Sequence, residues 1–371
     1  MNKVLFKLHG WMALFAFVPL LVMCVSGSIL VFKHEIDAAL MHDQVRVGVD
    51  GRARQSLDSL LGDVNRSFPD YEVVGWTLFQ DPGRADQVFL MPHGSSDWFY
   101  TLLNPYSGEI LAQPQNLTHY FTDWLLELHY TFLLDDTGLA ITSVFSILLC
   151  LLGISGLILY RKFWKNFFTL RWNARLMVYF SDLHKMTGVL ASPVLLIVGF
   201  TGVWWNITQL AYEVREHAAG KEHYKMEKRL YSDKLSLQAL YQRAGQSVDG
   251  FEPTYITMPW EPGVNITFWG DVPSGNPLLS QYASSVTFDA QSGDLVAAAD
   301  IRDAGLGTKI IDSYRRLHFG DFAGLASRVL WCVVGLSPLL LSVTGLYLWI
   351  RRRDKRRAAR AKRRRLQAAA A

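Results

Sequence analysis

Four long apolar stretches punctuate the chain, at residues 8–33, 138–160, 184–206 and 323–350. Each is long enough to cross a hydrocarbon core of about 30 Å, which takes roughly 20 residues of helix. Between the first and second stretches the pattern changes. Ser56-Leu57 opens an amphipathic helical period, LDSLLGDVNRSF, and short strands follow near 72–80, 86–92 and 98–103. Between the third and fourth, Ser236-Leu237 opens LQALYQRAGQSV, with strands near 253–259, 263–269 and 283–288. Both segments then reach the same turn, Asn104-Pro105-Tyr106-Ser107-Gly108-Glu109-Ile110 and Asp289-Ala290-Gln291-Ser292-Gly293-Asp294-Leu295. Asn or Asp supplies local hydrogen bonds there and Gly the permissive backbone. The predicted unit is span, small α+β domain, span, and it occurs twice.

Histidine spacing strengthens the duplication. From His9 to Gly27 is 18 residues, as from His184 to Gly202; from His129 to Gly156 is 27, as from His318 to Gly345. Ionisable groups beside or within a bilayer are costly and are functional candidates. Two matched pairs in a helical bundle suggest two bis-imidazole metal sites, which suit haem iron. If the repeats are related by a two-fold axis along the membrane normal, His9 pairs with His184 and His129 with His318. Neutral imidazole is the ligand form, and its second ring nitrogen needs an acceptor. No C-x-x-C-H motif is present, so the expected cofactor is haem b, two per chain, held without covalent attachment.

Composition agrees with membrane residence: 50% of residues are hydrophobic and only 19% charged. The first stretch exceeds the roughly 7–15-residue apolar core of a secretory signal, so a retained helix is expected. The net charge of +4 hides two basic clusters. One follows the second stretch (Arg161, Lys162, Lys165, Arg171, Arg175), and the other is the tail from Arg351 to Arg365. The positive-inside rule puts both in the cytoplasm. A multi-pass membrane protein follows, with both termini cytoplasmic and the two large loops outside. The divisions are span 8–33, periplasmic domain 34–137, span 138–160, basic loop 161–183, span 184–206, periplasmic domain 207–322, span 323–350 and basic tail 351–371. Anionic lipid, not nucleic acid, is the expected partner of that tail. The expected fold is a membrane, mainly α protein: a four-transmembrane-helix bundle from a tandem duplication, with two small α+β periplasmic domains. Cys24, Cys150 and Cys332 all lie in apolar stretches, so no disulfide is expected.

Helix length sets one condition. A straight helix from His129 to Arg161 would run about 48 Å at 1.5 Å per residue, well beyond the apolar core. A break is therefore expected near Asp135-Asp136-Thr137-Gly138, and Pro19, Pro193 and Pro338 are candidate kinks.

The LHxW at His9, LHxxxG at His184, LHY at His129, LHF at His318 and the two S-G-[E/D] turns together resemble the PepSY-associated transmembrane family, from about residue 3 to 353. Within it the chain is most similar to FoxB-type inner-membrane ferric-siderophore reductases. The resemblance implies four helices, two haem groups, two periplasmic PepSY domains and reductive release of siderophore iron outside the membrane. Some relatives carry a fused flavin or ferredoxin-type reductase domain. None is expected in these residues, which leaves the electron donor open between a quinol and a cytoplasmic reductase.

The favoured substrate is a ferric siderophore of the hydroxamate type, because hard oxygen donors hold Fe(III) far better than Fe(II). No catalytic acid or base is assigned. Arg315 and Arg316, just before His318, are candidates for binding haem propionates, since arginine grips carboxylates in bidentate fashion. Lys185 is a lesser inner counterpart. His34 is the best substitute ligand or substrate contact, although its repeat position is Gln209. His42, His93, His119, His217 and His223 read as solvated loop residues. Three alternatives stand beside the reductase: a haem-free PepSY interaction protein, a siderophore permease, and a quinol-coupled cytochrome with another acceptor. No Walker A, GxGxxG, GxSxG or HExxH pattern occurs, which argues against an ATPase, a nucleotide-cofactor site of that type and a zinc peptidase.

Overall fold

The computed structural model describes residues 3–49, 51–161, 169–218 and 223–370. Lys162 and Lys165 of the basic segment lie outside this set, as does the side chain of His217. In chain order the helices are α1 (Lys3–Phe15), α2 (Phe17–Leu30), α3 (Lys33–Leu40), α4 (His42–Val45) and α5 (Leu57–Ser67). Strands β1 (Tyr71–Thr77), β2 (Asp86–Pro92), β3 (Phe99–Leu103) and β4 (Gln115–Asn116) follow, then α6 (Phe121–Thr131), α7 (Asp135–Leu159) and α8 (Leu176–Ala218). The second half continues with α9 (Leu237–Ser247), β5 (Glu252–Thr257), β6 (Ile266–Asp271), β7 (Ser284–Phe288), β8 (Leu295–Ala299), α10 (Leu306–Phe319), α11 (Gly324–Gly335) and α12 (Ser337–Ala369).

Two compact units divide the chain. One holds Met1–Val31, Leu126–Val214 and His318–Ala371; the other holds Phe32–Leu125 and Arg215–Leu317.

In the first unit the expected bundle of four transmembrane helices is corrected. Among the described residues, three helical stretches are long and apolar enough to cross a membrane: Asp135–Leu159, Leu176–Glu216 and Gly324–Ala369. The first apolar stretch forms α1 and α2, bent by 65°. Pro19 explains the bend. It has no N–H, and its ring clashes with the carbonyl four residues back, so α1 ends at Phe15. Pro338 likewise follows the break between α11 and α12, whereas Pro193 sits inside an unbroken α8. The break required after His129 is present: α6 ends at Thr131 and α7 begins at Asp135. Phe132, Leu133 and Asp135 all have positive φ, of 53°, 61° and 47°. Three non-glycine residues in the left-handed region within four positions mark a strained turn.

The second unit corrects the other half of the expected fold. The two loops do not make two small sheets. They make one eight-stranded antiparallel sheet, in the order β4-β3-β2-β1-β5-β6-β7-β8. Strands β1 and β5 join the halves, with Trp76 opposite Ile256 and Thr77 opposite Tyr255. The offset that relates Ser56 to Ser236 also relates Trp76 to Ile256, so equivalent residues meet where the halves join. The reason is edge chemistry. Each half alone would expose a row of unpaired N–H and C=O groups on β1 or β5, and pairing the two edges satisfies both.

One face of this sheet is closed by α5 and α9. Each helix starts on a serine cap: Ser56 accepts from Ser59 N and Ser236 from Ala239 N. The helices meet at their first turns, where Asp58 accepts from Ser236 Oγ and Gln238 N. Leu60, Val64, Trp76, Leu90, Leu240, Ile256, Phe268 and Phe288 form a single core beneath them. Both predicted turns are present. Asn104 Oδ1 accepts from Tyr106 N and Asp289 Oδ1 from Gln291 N, while Gly108 and Gly293 take φ of 75° and 73°.

Candidate functional site: two imidazole pairs

All four repeated histidines belong to the first unit. His9 lies on α1, His129 on α6, His184 on α8 and His318 on α10. The His129 and His318 rings meet edge-on, with centroids 6.3 Å apart and planes at 65°. His9 lies within electrostatic range of His184. The approach of His129 and His318 is a pairing the repeat led us to expect.

Each imidazole is held by another helix through the same pair of residues, a hydroxyl followed by glycine. His9 Nδ1 is 2.8 Å from Ser155 Oγ, and His318 Nδ1 is 2.8 Å from Thr201 Oγ1. His184 Nδ1 is 2.9 Å from Thr344 Oγ1. His129 Nδ1 lies 3.1 Å from Ser26 Oγ and 2.9 Å from the Met23 carbonyl. The following glycines, Gly156, Gly202, Gly345 and Gly27, each lie against the ring concerned. A methyl built on Gly27 would sit 2.7 Å from His129 Cε1, which no side chain tolerates.

The hydroxyl and carbonyl partners agree with one tautomer, and for His129 a carbonyl partner requires it. Each hydroxyl donates its single hydrogen to a carbonyl of its own helix: Ser26 to Val22, Ser155 to Leu152, Thr201 to Ile197 and Thr344 to Leu340. With its hydrogen so placed, the oxygen accepts from the imidazole, which puts the proton on Nδ1 and leaves Nε2 as the unprotonated nitrogen. A carbonyl can only accept, which makes the same assignment for His129 through Met23.

These residues fit a metal clamped between two imidazoles. Metal–imidazole bonds of about 2 Å on each side place ring centres roughly 6 Å apart, close to the separation of His129 and His318. The donor set of two neutral nitrogens suits haem iron. Among the described residues no cluster of three or more His, Cys, Asp or Glu is placed to hold a bare ion. The two levels are separated along α8, which carries His184 of one pair and Thr201, tether of the other. Those 17 residues rise about 26 Å.

Trp205 packs on His318 with ring centroids 5.2 Å apart. Arg352 lies close enough to His184 to act on it electrostatically and stacks over Phe6 at 4.7 Å. Lys185 is 3.7 Å from Asp182, which Arg171 grips with two bonds.

Other sequence candidates lie in the second unit. Arg315 stacks over Tyr282 at 4.6 Å, and Arg316 Nε donates to the Leu279 carbonyl at 3.0 Å. His34 stands edge-on to Phe79 and lines a cavity of about 260 Å³ with Glu35, Arg46, Asp81 and Arg84. Burial pulls the Arg84 guanidinium below its usual range, against the pull of Asp37 and Asp81. His93 is 3.2 Å from Glu72, and His119 packs on Tyr120.

Sequence reading missed two repeated features. One is the placement of Ser26, Ser155, Thr201 and Thr344, each just before one of the repeated glycines, against the imidazoles. The other is an aspartate six residues before each outer histidine. Asp123 accepts from Tyr100 OH and from Lys33 Nζ, and Asp312 accepts from Ser280 N and Oγ, both at 2.7 Å. The identical spacing was the available signal.

Apolar helices of spanning length, joined to a duplicated sheet domain, define a membrane protein. The chain belongs to the family described as PepSY-associated TM region, which matches residues 6–352. It is also similar to uncharacterized protein PA4219 of Pseudomonas aeruginosa, with 25% identity over 252 residues. That match covers 62% of this chain and 64% of the relative's length.

Proposed function

We propose that the protein is a dihaem b oxidoreductase of the bacterial inner membrane. It delivers electrons to a periplasmic ferric siderophore, releasing Fe(II) for uptake, as its resemblance to FoxB-type reductases implies. The observation that carries this reading is the set of four imidazoles, each tethered at Nδ1 to a hydroxyl of another helix, with the His129 and His318 rings brought together. Haem held by such pairs supplies a one-electron carrier within the membrane. His9 and His184 would hold the inner group, and His129 and His318 the outer one.

The chain's own residues do three things here. The hydroxyls and the Met23 carbonyl orient the imidazoles. The glycines let the rings approach the helix backbones. Apolar α2, α7, α8 and α12 keep water from the Nε2 atoms. Arg352, within electrostatic range of His184, is the candidate partner for a haem carboxylate at the inner pair.

Each ferric ion takes one electron. The chelator's hard oxygens then hold Fe(II) weakly, so iron leaves and the chelator survives. A quinol supplies two electrons and releases two protons, enough for two ferric ions; a cytoplasmic reductase is the other class of donor. In this reading the basic α12 extension faces the cytoplasm.

The test is reoxidation. Dithionite-reduced protein, freed of excess dithionite, is mixed with a ferric hydroxamate siderophore in the presence of ferrozine. The reading expects loss of the reduced haem bands with matching ferrozine colour, and loss of both signals in His318→Ala. Bands that persist with every ferric siderophore but vanish with a quinone would replace it with a quinol-coupled cytochrome.

A further inference from the structure

We propose that Ser26, Ser155, Thr201 and Thr344 are positioning residues. They lock all four imidazoles in the Nδ1–H tautomer and raise the basicity of the ligating Nε2. This rests on the haem reading above and adds to it a set of residues that tune the sites.

Hydroxyls in apolar helices commonly bond their own i−4 carbonyl and need nothing more. Ser28, Ser143 and Ser192 do so on the same helices, donating to Cys24, Leu139 and Gly188. Ser26, Thr201 and Thr344 make the same back-bond, Ser155 bonds its i−3 carbonyl, and all four in addition point their oxygen at an imidazole, at 2.8–3.1 Å. They occupy equivalent places in both halves: 17 residues after His9 and His184, and 26 after His129 and His318. Two are serine and two threonine, so the shared element is the oxygen and not the methyl.

Each pair is thus built from four helices. In the outer pair α6 and α10 bring the rings, while α2 and α8 bring the hydroxyls. In the inner pair α1 and α8 bring the rings, and α7 and α12 the hydroxyls. An acceptor on the far ring nitrogen fixes ring orientation and makes the near nitrogen a stronger donor. Stronger donation favours the oxidised metal and lowers its midpoint potential.

Thr201→Val removes the oxygen and keeps the shape, whereas Thr201→Ser keeps the oxygen. Thr344→Val does for the inner pair what Thr201→Val does for the outer. The readouts are spectroelectrochemical midpoint potentials of each haem and haem affinity of the purified full-length protein. Thr201→Val is expected to raise the outer potential, leave the inner one unchanged, and weaken outer haem binding about 10–100-fold. Thr201→Ser is expected to match wild type, and Thr344→Val to shift the inner potential alone. Two haems in wild type with potentials and affinities unmoved in both valine variants would overturn this inference and leave the haem reading standing. So would a serine variant that shifts like the valine one. Wild-type protein that binds no haem would overturn the haem reading and this inference with it.

Discussion

His129 and His318 come from opposite halves of the chain, yet their rings meet edge-on at 6.3 Å. Neither ring reaches this position through its own helix alone. His129 is tied to Ser26 and Met23 on α2, and His318 to Thr201 on α8. The backbone behind each ring is glycine, and Gly27 leaves its ring the least clearance of the four.

That difference gives a mutational contrast. A methyl at Gly27 would fall 2.7 Å from His129 Cε1, whereas one at Gly156 would lie 3.6 Å from His9 Cε1. Gly27→Ala is expected to displace His129 and remove the outer haem, with a lower haem count per chain. Gly156→Ala is expected to keep both. Equal haem content in the two variants, measured on purified protein, would contradict the packing described.

Much of this was legible beforehand, for a physical reason. Histidine and glycine spacing reports on helix position, because rise per residue is constant, and duplication makes each spacing check the other. The α5 and α9 caps and the Asn104 and Asp289 turns are local chemistry and appear in the sequence as such. The joining of β1 to β5 is not local. Nothing in the strand pattern says that two edges 180 residues apart will pair, so two sheets were expected where one forms. The α1–α2 bend was likewise hidden, because Pro19 marks a possible kink but not whether the helix restarts. The tethers were hidden because Ser and Thr beside Gly read equally well as close-packing residues.

A second prediction concerns stability. Lys33 Nζ reaches Asp123 at 2.6 Å, Thr122 at 2.6 Å and Asp37 at 3.1 Å, and Tyr100 OH donates to the other Asp123 oxygen. Breaking a buried ion pair costs about 3–5 kcal/mol. Lys33 keeps some solvent exposure, so Lys33→Met is expected to destabilise the second unit by about 2 kcal/mol. Asp123→Asn, which leaves the lysine charge facing Asp37 alone, is expected to cost a similar amount. Thermal unfolding in detergent measures both, and midpoints within error of wild type would refute the network's contribution.

Alkaline pH provides a third. Burial pushes the Tyr231 and Tyr255 hydroxyls up to about 12, with Tyr282 adding to the shift at Tyr255. Between about pH 10, the unfolded tyrosine value, and pH 12 the folded chain therefore holds more protons than the unfolded one. Stability is full below that window and is lost as pH rises through it. Denaturant midpoints from pH 9 to 12 are expected to fall, and to fall less steeply in Tyr231→Phe and Tyr255→Phe. Parallel slopes in all three proteins would contradict the shifts.

Topology gives a fourth. With cysteines introduced singly, an impermeant thiol reagent applied outside whole cells is expected to label positions 104 and 289 and to spare position 171. Labelling at 171 but not at 104 would invert the molecule and place the reducing site on the cytoplasmic side.

The central claim is that two imidazole pairs hold two haems, and a pyridine haemochrome assay on the purified chain tests it most directly. The account predicts about two b haems per polypeptide, falling to one in His318→Ala and to one in His184→Ala, with the spectrum of the remaining haem intact. A wild-type chain with no haem, or one whose haem content is unaffected by either substitution, would contradict it.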